Sequence, residues 1–320
     1  MKDGAKNPDG AQSGKPPVVL LHGWMMSRRC WDEVAARLRT MFDLYIAELP
    51  GHEVRGETNG GGARVLRIAE LLEHNANGDT DDTGARPPGY GANKQTDGGD
   101  AKPFRSAGLP GHNANNGSAF SRPGELVAAL AAAAPRRAVW VGWSLGGVLA
   151  QAVACRYPER VAGLVCIAAA ARFVACDEWP HGMAPAVFDD FAAAFARDAD
   201  GAARRFLSLQ TAGNGDAALL RRLRQAAARG GAHAEQAAAL RFLGDSDLRG
   251  ALRDCRCRAD FIGGGHDRLV AARAVKQSSR LARDGRFHNI ADAGHAAPVS
   301  HAGRVCEIIR QCAEHARAAT

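Results

Sequence analysis

The sequence predicts an α/β fold in which a mostly parallel central sheet is flanked by helices and carries a helical cap. Short apolar runs alternate with amphipathic helical segments, and such alternation is typical of parallel sheets built from strand, helix and strand units. A block without strand patterns, residues 171–245, separates two strand-forming parts of the chain. With 320 residues, one main domain with an inserted cap is expected.

The individual elements follow from the local patterns. Apolar, β-branched runs bounded by Pro or Gly predict buried strands, and amphipathic runs predict helices. The predicted strands lie in "PPVVLLHGW", "DLYIAELPG", "AVWVGW", "VAGLVCIAAA", "RADFIGGGHD" and "RFHNIADAGH". The helices that flank them lie in "CWDEVAARLRTMF", "ELVAALAAAAPRR", the run that begins near Leu145 and ends before Tyr157, and "AGRVCEIIRQCAEHA". The expected organisation is a polar leader at 1–16, a core in two parts at 17–170 and 246–320, and the cap at 171–245.

Residues 58–122 interrupt this alternation. They are rich in Gly, Asn and Asp and poor in large apolar residues, so they cannot bury enough surface to offset the entropy of ordering them. We expect a disordered insertion in which only "RVLRIAELLEH" could form a short, transient helix.

Composition limits the classes of function. No apolar run approaches the roughly 18 residues of a membrane span, and the polar start "MKDGAKNPDGAQSGKPP" has no signal-type apolar segment. A soluble, cytoplasmic protein without membrane contact is expected. The net charge of +7 favours acidic partners, whereas nucleic-acid motifs are absent, so no nucleic-acid partner is expected.

The eight cysteines have no paired CxxC spacing, so we expect reduced thiols and no metal site. Cys255 and Cys257 are predicted to point to opposite faces of a strand, which suits neither a disulfide nor a zinc site.

The stretch "AVWVGWSLGGVLAQAVA" contains the clearest chemical motif. Ser144 lies between Gly142 and Gly146, directly after a predicted strand and before a predicted helix. A Gly-x-Ser-x-Gly sequence in this context is a nucleophile elbow, whose sharp turn exposes the serine hydroxyl. The pattern by itself can arise by chance in a Gly-rich chain, but the strand before it and the helix after it favour the elbow.

A serine nucleophile needs a base and an acid that orients the base, in the chain order Ser, Asp or Glu, His. His295 follows the last predicted strand in a turn, whereas His288 lies within the strand and His301 starts the closing helix. Asp267 ends a strand, so its carboxylate can reach the imidazole of His295. Its alternative role is that of a helix N-cap.

Two backbone N–H groups are expected to form an oxyanion hole, as this chemistry requires. One belongs to Leu145, which follows the nucleophile, and the other to Trp24 in the loop after the first strand. His22, in the same loop, is interpreted as a structural hydrogen-bonding residue. The triad supplies acid, base and nucleophile, so no cofactor is implied.

The motifs "LLHGW", "GWSLGG", "GGGHDRLV" and "AGHAAPVSH" resemble the α/β-hydrolase superfamily over essentially the whole chain outside the leader and the insertion. The cap segments "FVACDEWP" and "RRFLSLQTAG", with "LLHGWMMSRRCWDEV", are similar to the BioH family of pimeloyl-[acyl-carrier protein] methyl ester esterases of biotin synthesis. The turn at 50–55 departs from the Pro-Gly-x-Gly-x-Ser pattern common in these hydrolases.

This resemblance implies a serine carboxylesterase that releases methanol from a pimeloyl methyl ester carried by acyl carrier protein. A monomer is expected. The substrate contacts it implies are Trp24, Ser144, Leu145, Phe206, Leu207, Ser208, Leu209, Gln210 and His295. For Phe206 and Leu209, packing within the cap is an equally good interpretation.

The resemblance also implies that the acidic carrier protein docks on a basic cap face. That face would consist of Arg204, Arg205, Arg221, Arg222 and Arg224, although a solvated helix surface has the same composition.

Two other functions remain open. A broad-specificity short-chain carboxylesterase, or a related hydrolase that uses the same triad on C–C bonds, would have the same motifs. A non-catalytic scaffold with this fold is the alternative outside enzymes, because fold does not dictate activity.

Overall fold

The computed structural model describes residues 14–53, 62–77, 117–211, 217–228 and 233–318. The strands are β1 (Pro17–Leu21), β2 (Asp43–Glu48), β3 (Arg64–Arg67), β4 (Ala138–Trp143), β5 (Val161–Ile167), β6 (Ala259–Gly264) and β7 (Gly285–Ile290). They form one sheet in the order β3-β2-β1-β4-β5-β6-β7, and every neighbouring pair is parallel. The predicted fold class is therefore confirmed.

The helices are α1 (Asp32–Leu38), α2 (Ile68–Asn77), α3 (Pro123–Ala133), α4 (Leu145–Arg156), α5 (Pro185–Arg197), α6 (Ala199–Gln210), α7 (Ala217–Ala226), α8 (His233–Asp245), α9 (Arg249–Arg253), α10 (Ala272–Ser279), α11 (Ala297–Ser300) and α12 (Ala302–Ala318). Helices α5 to α8 follow β5 and precede β6, and they make up most of the segment predicted as a cap. None of the helices in the described ranges has the length and apolarity needed to cross a membrane.

Both faces of the sheet are buried. Successive residues of a strand point to opposite faces, so Val19 and Leu21 join the core that contains α3 and α4, whereas Val18 and Leu20 join the core that contains α1 and α12. A strand covered on both faces needs a continuous apolar run, which explains why these strands were recognisable in the sequence.

Part of the predicted disordered insertion is ordered. Residues 64–67 form β3, which pairs with β2 at the sheet edge, and 68–77 form α2. The prediction of only a transient helix was wrong here, because a four-residue edge strand running straight into a helix has no clear period of its own. Residues 117–122 are ordered as well and include a short 3-10 helix, Ala119–Ser121. Residues 58–61 and 78–116 of the predicted insertion, like 1–13 of the predicted leader, lie outside the described residues.

The interpretation of the Cys255 and Cys257 pair was also wrong. Strand β6 begins only at Ala259, so both cysteines lie in the connection before it, where their Sγ atoms are 3.6 Å apart. The alternation of side chains that holds in a strand does not apply to this irregular segment. All eight cysteines are free.

Candidate active site

Ser144 stands at the turn between β4 and α4, at the carboxyl end of the central strand. Its backbone has φ 53° and ψ −116°, a conformation that a residue with a side chain rarely adopts. A Cβ atom at Gly142 would lie 2.2 Å from the carbonyl oxygen of Gly146, and one at Gly146 would lie 2.2 Å from that of Leu21. The two glycines of the motif are therefore required by the close backbone packing of this turn.

His295 and Asp267 are joined by a hydrogen bond. The Nδ1 atom of His295 lies 2.9 Å from Oδ2 of Asp267, and both side chains are essentially inaccessible to solvent. Because an ionised carboxylate can only accept, the proton of the neutral imidazole lies on Nδ1, which leaves the lone pair on Nε2. This is the tautomer that a general base needs.

The second oxygen of Asp267 explains how this side chain is held. Oδ1 accepts hydrogen bonds from the backbone N–H groups of Leu269 at 2.8 Å and Val270 at 2.9 Å. The carboxylate thus caps the turn after β6 and orients His295 at the same time. The capping alternative is partly correct, although the capped segment is this turn and not α10, whose N-cap is Ala271.

The loops after β6 and β7 approach each other closely enough to bring Asp267 and His295 together. The N–H of His266 donates to the carbonyl of Ala293 at 2.9 Å. A Cβ atom at Gly264 would lie 2.5 Å from the Gly294 oxygen, and one at Gly265 would lie 2.3 Å from the Ala291 oxygen. The glycines in "FIGGGHD" permit this contact, a role that sequence reasoning missed.

Ser144 and His295 line the same apolar cavity, which is roofed by the predicted cap. Its other lining residues are all apolar: Trp24, Phe173, Met183, Val187, Phe188, Phe191, Phe206, Leu209, Leu240, Leu243 and Leu269. Most of these lie on α5, α6 and α8, and of the whole set only Trp24, Phe206 and Leu209 were predicted as site residues. The spacing of Phe188 and Phe191 on one face of α5 was a signal that could have found them.

The run Phe206 to Gln210 does not contact the cavity as a unit. Phe206 and Leu209 line it, whereas Leu207 packs into the core with α1 and α12. The hydroxyl of Ser208 donates to the Arg204 carbonyl, and the amide of Gln210 faces the sulfur of Met26. The structure thus places two of the five residues at the cavity and three elsewhere, because in a helix only residues three or four apart share a face.

The predicted oxyanion loop lies beside Ser144. A Cβ atom at Gly23 would be 3.5 Å from Cβ of Ser144, and Trp24 follows directly. The indole N–H of Trp24 donates to the Gln236 carbonyl at 2.8 Å, while the side-chain amide of Gln236 donates to the Gly51 carbonyl at 3.0 Å. Leu145 is the first residue of α4 and its side chain is buried.

His22 behaves as a structural residue. Its Nε2 accepts the Leu49 N–H at 3.2 Å and its Nδ1 donates to the Gly23 carbonyl at 3.0 Å. Burial, followed by the nearby His52, lowers the pKa of His22 to about 3, so the ring stays neutral. The divergent turn at 50–53 is ordered by His52, whose Nδ1 lies 2.8 Å from the Pro50 carbonyl.

Trp143 contacts the loop of His295, whereas the two alternative histidines, His288 and His301, pair with other carboxylates. The indole N–H of Trp143 donates to the carbonyl of His295 at 2.8 Å. This bond anchors the loop that contains His295 to the elbow, and the sequence analysis did not predict it. His288 pairs with buried Asp260 at 2.7 Å, and His301 pairs with Asp292 at 3.2 Å. Neither lines the cavity that contains Ser144.

Comparison with known proteins agrees with this architecture. Residues 18–308 match the model of an alpha/beta hydrolase family. The chain is 34% identical over 298 residues to a pimeloyl-[acyl-carrier protein] methyl ester esterase of Stenotrophomonas maltophilia, covering 92% of each chain. It is 29% identical to the protein of the same name from Sodalis glossinidius, covering 93% of each.

Solved structures show the same fold at low identity. A thermophilic esterase from Thermogutta terrifontis superposes with a TM-score of 0.62 at 19% identity, covering 94% of this chain and 90% of that one. An enol-lactonase from Burkholderia xenovorans gives 0.62 at 16% identity, covering 96% and 94%. The family match over residues 18–308 and the parallel sheet flanked by helices agree with each other. The chain belongs to the alpha/beta hydrolase family.

Proposed function

We propose that this chain is a serine carboxylesterase that hydrolyses the methyl ester of pimeloyl-[acyl-carrier protein], a step of biotin synthesis. The observation that carries the proposal is the cavity in which Ser144 and His295 are the only polar lining residues within the described part of the chain. An apolar cavity of this kind suits a neutral ester on an aliphatic chain. The names of the relatives favour the pimeloyl substrate.

The proposed mechanism uses Ser144, His295 and Asp267 in turn. Nε2 of His295 takes the hydroxyl proton as Oγ of Ser144 attacks the ester carbonyl, and Asp267 stabilises the imidazolium. The N–H groups of Leu145 and Trp24 would hold the oxyanion. His295 then protonates the departing methoxide, and methanol leaves an acyl-enzyme. Water, deprotonated by His295, hydrolyses this ester and returns the free serine and a carboxylic acid.

The proposed docking face for the carrier protein contains four of the five arginines that were predicted from the sequence. Arg204, Arg205, Arg221 and Arg224 are exposed on α6 and α7, where they could attract an acidic partner. Arg222 is instead paired with Glu33 on α1, so it joins the cap to the core. We therefore leave Arg222 out of the proposed docking face.

The test is hydrolysis of purified pimeloyl-[acyl-carrier protein] methyl ester, followed by mass spectrometry, together with rescue of a biotin auxotroph that lacks this esterase. The unaltered chain is expected to act in both assays and Ser144→Ala in neither. If the unaltered chain cleaves p-nitrophenyl acetate but fails in both assays, a general short-chain carboxylesterase is the better assignment. If it also cleaves no simple ester, the scaffold interpretation is favoured.

A further inference from the structure

A second cavity adjoins the apolar one on the side of Asp267. The two share Phe173, Met183, Val187 and Leu269 as common walls. The second cavity lies between the segment that enters the predicted cap and the loop from β6 to α10. Val187 is 56% exposed, so the shared wall reaches the molecular surface. The two cavities are therefore immediate neighbours, separated by these four side chains.

The second cavity has a different chemistry. Its polar lining residues are Arg172, His181, Asp267 and Arg268, whereas the apolar cavity has only Ser144 and His295. This change from apolar to polar lining matches a ligand with an aliphatic end and a polar end. The substrate of the proposed function has this form, because an alkyl chain separates the methyl ester from a thioester and the amides of the carrier's pantetheine arm.

Two of the four polar side chains are already engaged. Arg172 pairs with Asp247 at 3.0 Å and donates from Nε to the Val174 carbonyl at 2.9 Å. Asp267 is occupied by His295 and the two backbone N–H groups of its turn.

Arg268 and His181 remain available. Arg268 is exposed and has neither an ion pair nor a hydrogen bond to any residue in the described ranges. His181 packs its ring edge-on against Trp179, with centroids 5.5 Å apart, which orients the ring. A guanidinium and an imidazole both donate hydrogen bonds to carbonyl oxygens.

We infer that this second cavity is the subsite for the thioester and the first amide of the pantetheine arm, with Arg268 and His181 as donors to their carbonyl oxygens. The inference rests on the proposed function and assigns a specificity role within it. Because a charged donor strengthens a hydrogen bond, Arg268 carries the larger share of recognition. Substrates that end at the alkyl chain gain nothing from this subsite.

The test compares Arg268→Met, which keeps the apolar stem, with Arg273→Met as a matched control. Arg273 is exposed on α10 and lines neither cavity. Three substrates are used: pimeloyl-[acyl-carrier protein] methyl ester, the corresponding N-acetylcysteamine thioester, and dimethyl pimelate. The last has the same alkyl chain and ester but lacks the thioester and the amide.

Arg268→Met is expected to lower kcat/KM about tenfold, mainly through KM, for the first two substrates. Its kcat/KM for dimethyl pimelate and all values for Arg273→Met should stay unchanged. His181→Phe, which retains the ring packing against Trp179, should give a smaller loss on the same two substrates.

Three results would overturn the inference. An equal loss on dimethyl pimelate would mean that Arg268 acts through Asp267, and no loss on any substrate would mean that it contacts none of them. A loss confined to the carrier-protein substrate would place Arg268 against the protein surface instead of the arm. Failure of the proposed function looks different, because the unaltered chain would then cleave dimethyl pimelate but neither thioester.

Discussion

Ser144 keeps an unfavourable backbone conformation because hydrogen bonds to neighbouring segments hold it there. A residue with a side chain at positive φ typically costs about 1–3 kcal/mol. The N–H of Ser144 donates to the Ile167 carbonyl at 2.9 Å, and its own carbonyl accepts from Gly147 at 2.9 Å and Val148 at 3.1 Å. These bonds link the turn to β5 and α4, so the hydroxyl is presented on a rigid support.

At the scale of single residues, Asp267→Asn is expected to lower kcat by about 10³- to 10⁴-fold. The backbone N–H groups of Leu269 and Val270 would bind the amide oxygen, which turns the amide NH₂ toward His295. The ring would then hold its proton on Nε2 and could not act as a base. The measurement is kcat with p-nitrophenyl acetate.

Asp292→Asn is the control for that prediction, because this carboxylate also pairs with a histidine, His301, but at the surface. It should retain full activity. Comparable activity of Asp267→Asn and the unaltered chain would show that the tautomer of His295 does not depend on Asp267.

At the scale of elements, α6 shows how one helix serves two purposes. Its face with Phe206 and Leu209 lines the apolar cavity, while Leu207 is 8% exposed and packs into the core with α1 and α12. The ring of Phe206 contacts Trp24, with centroids 4.9 Å apart. The same helix thus forms a wall of the candidate site and anchors the cap to the core.

This arrangement predicts that Leu209→Ala and Leu207→Ala have opposite effects. Leu209 is 36% exposed, so its loss should raise KM for the pimeloyl methyl ester severalfold with little change in stability. Leu207→Ala should leave KM unchanged and destabilise the fold by about 2–5 kcal/mol. Steady-state kinetics and urea unfolding of both variants are the measurements. Similar profiles for the two would contradict the assigned faces.

At the scale of the whole molecule, the predicted cap covers the loop after β1 and is also hydrogen-bonded to it. Ser27 donates from its backbone N–H at 2.9 Å and its hydroxyl at 2.8 Å to the Ala226 carbonyl, and Ala228 donates to the Met25 carbonyl at 3.0 Å. The Arg222 and Glu33 pair adds a contact between α7 and α1. These bonds hold the predicted cap over the elbow.

Buried ionisable groups make the stability of the molecule sensitive to acid. Burial lowers the pKa of His52 to about 4, and burial with the nearby His52 lowers that of His22 to about 3. Burial tends to raise the pKa of Asp260, but the hydrogen bonds from His288 and Arg258 outweigh it and the pKa is lowered. All three groups therefore bind protons less readily in the folded state than in the unfolded chain.

The free energy of unfolding should consequently fall as the pH falls from about 6.5 toward 4. In this window the unfolded chain binds protons on His22 and His52 that the folded protein does not, so stability rises with pH. Asp260 adds a further loss below the ordinary carboxylate range. Urea unfolding across a pH series measures the slope.

The slope measures how many protons the chain takes up on unfolding. His52→Asn, whose amide can replace the Nδ1 donor, should lower that number by about one. His74→Asn on the exposed side of α2 should leave it unchanged. An unaltered slope in His52→Asn would contradict the assignment of acid sensitivity to this histidine.

The sequence by itself determined the α/β class, because strands buried on both faces must be continuously apolar. "AVWVGW" was readable for that reason, and it matches β4 residue for residue. It also identified Ser144, Asp267 and His295 as candidates, because the elbow motif and the positions at strand ends are local features. Strand β3 was not predicted, because four edge residues that run directly into a helix are too few to show a strand pattern.

Only the tertiary structure decided which residues surround Ser144. Phe188, Leu240 and Leu269 are far apart in the chain, and nothing local marks them as neighbours of one serine. The same holds for Gly264 and Gly265, whose missing side chains let two loops meet, and for the second cavity beside Asp267. Local sequence encodes how each segment folds, whereas the contacts that shape a site arise between segments and exist only once they have packed.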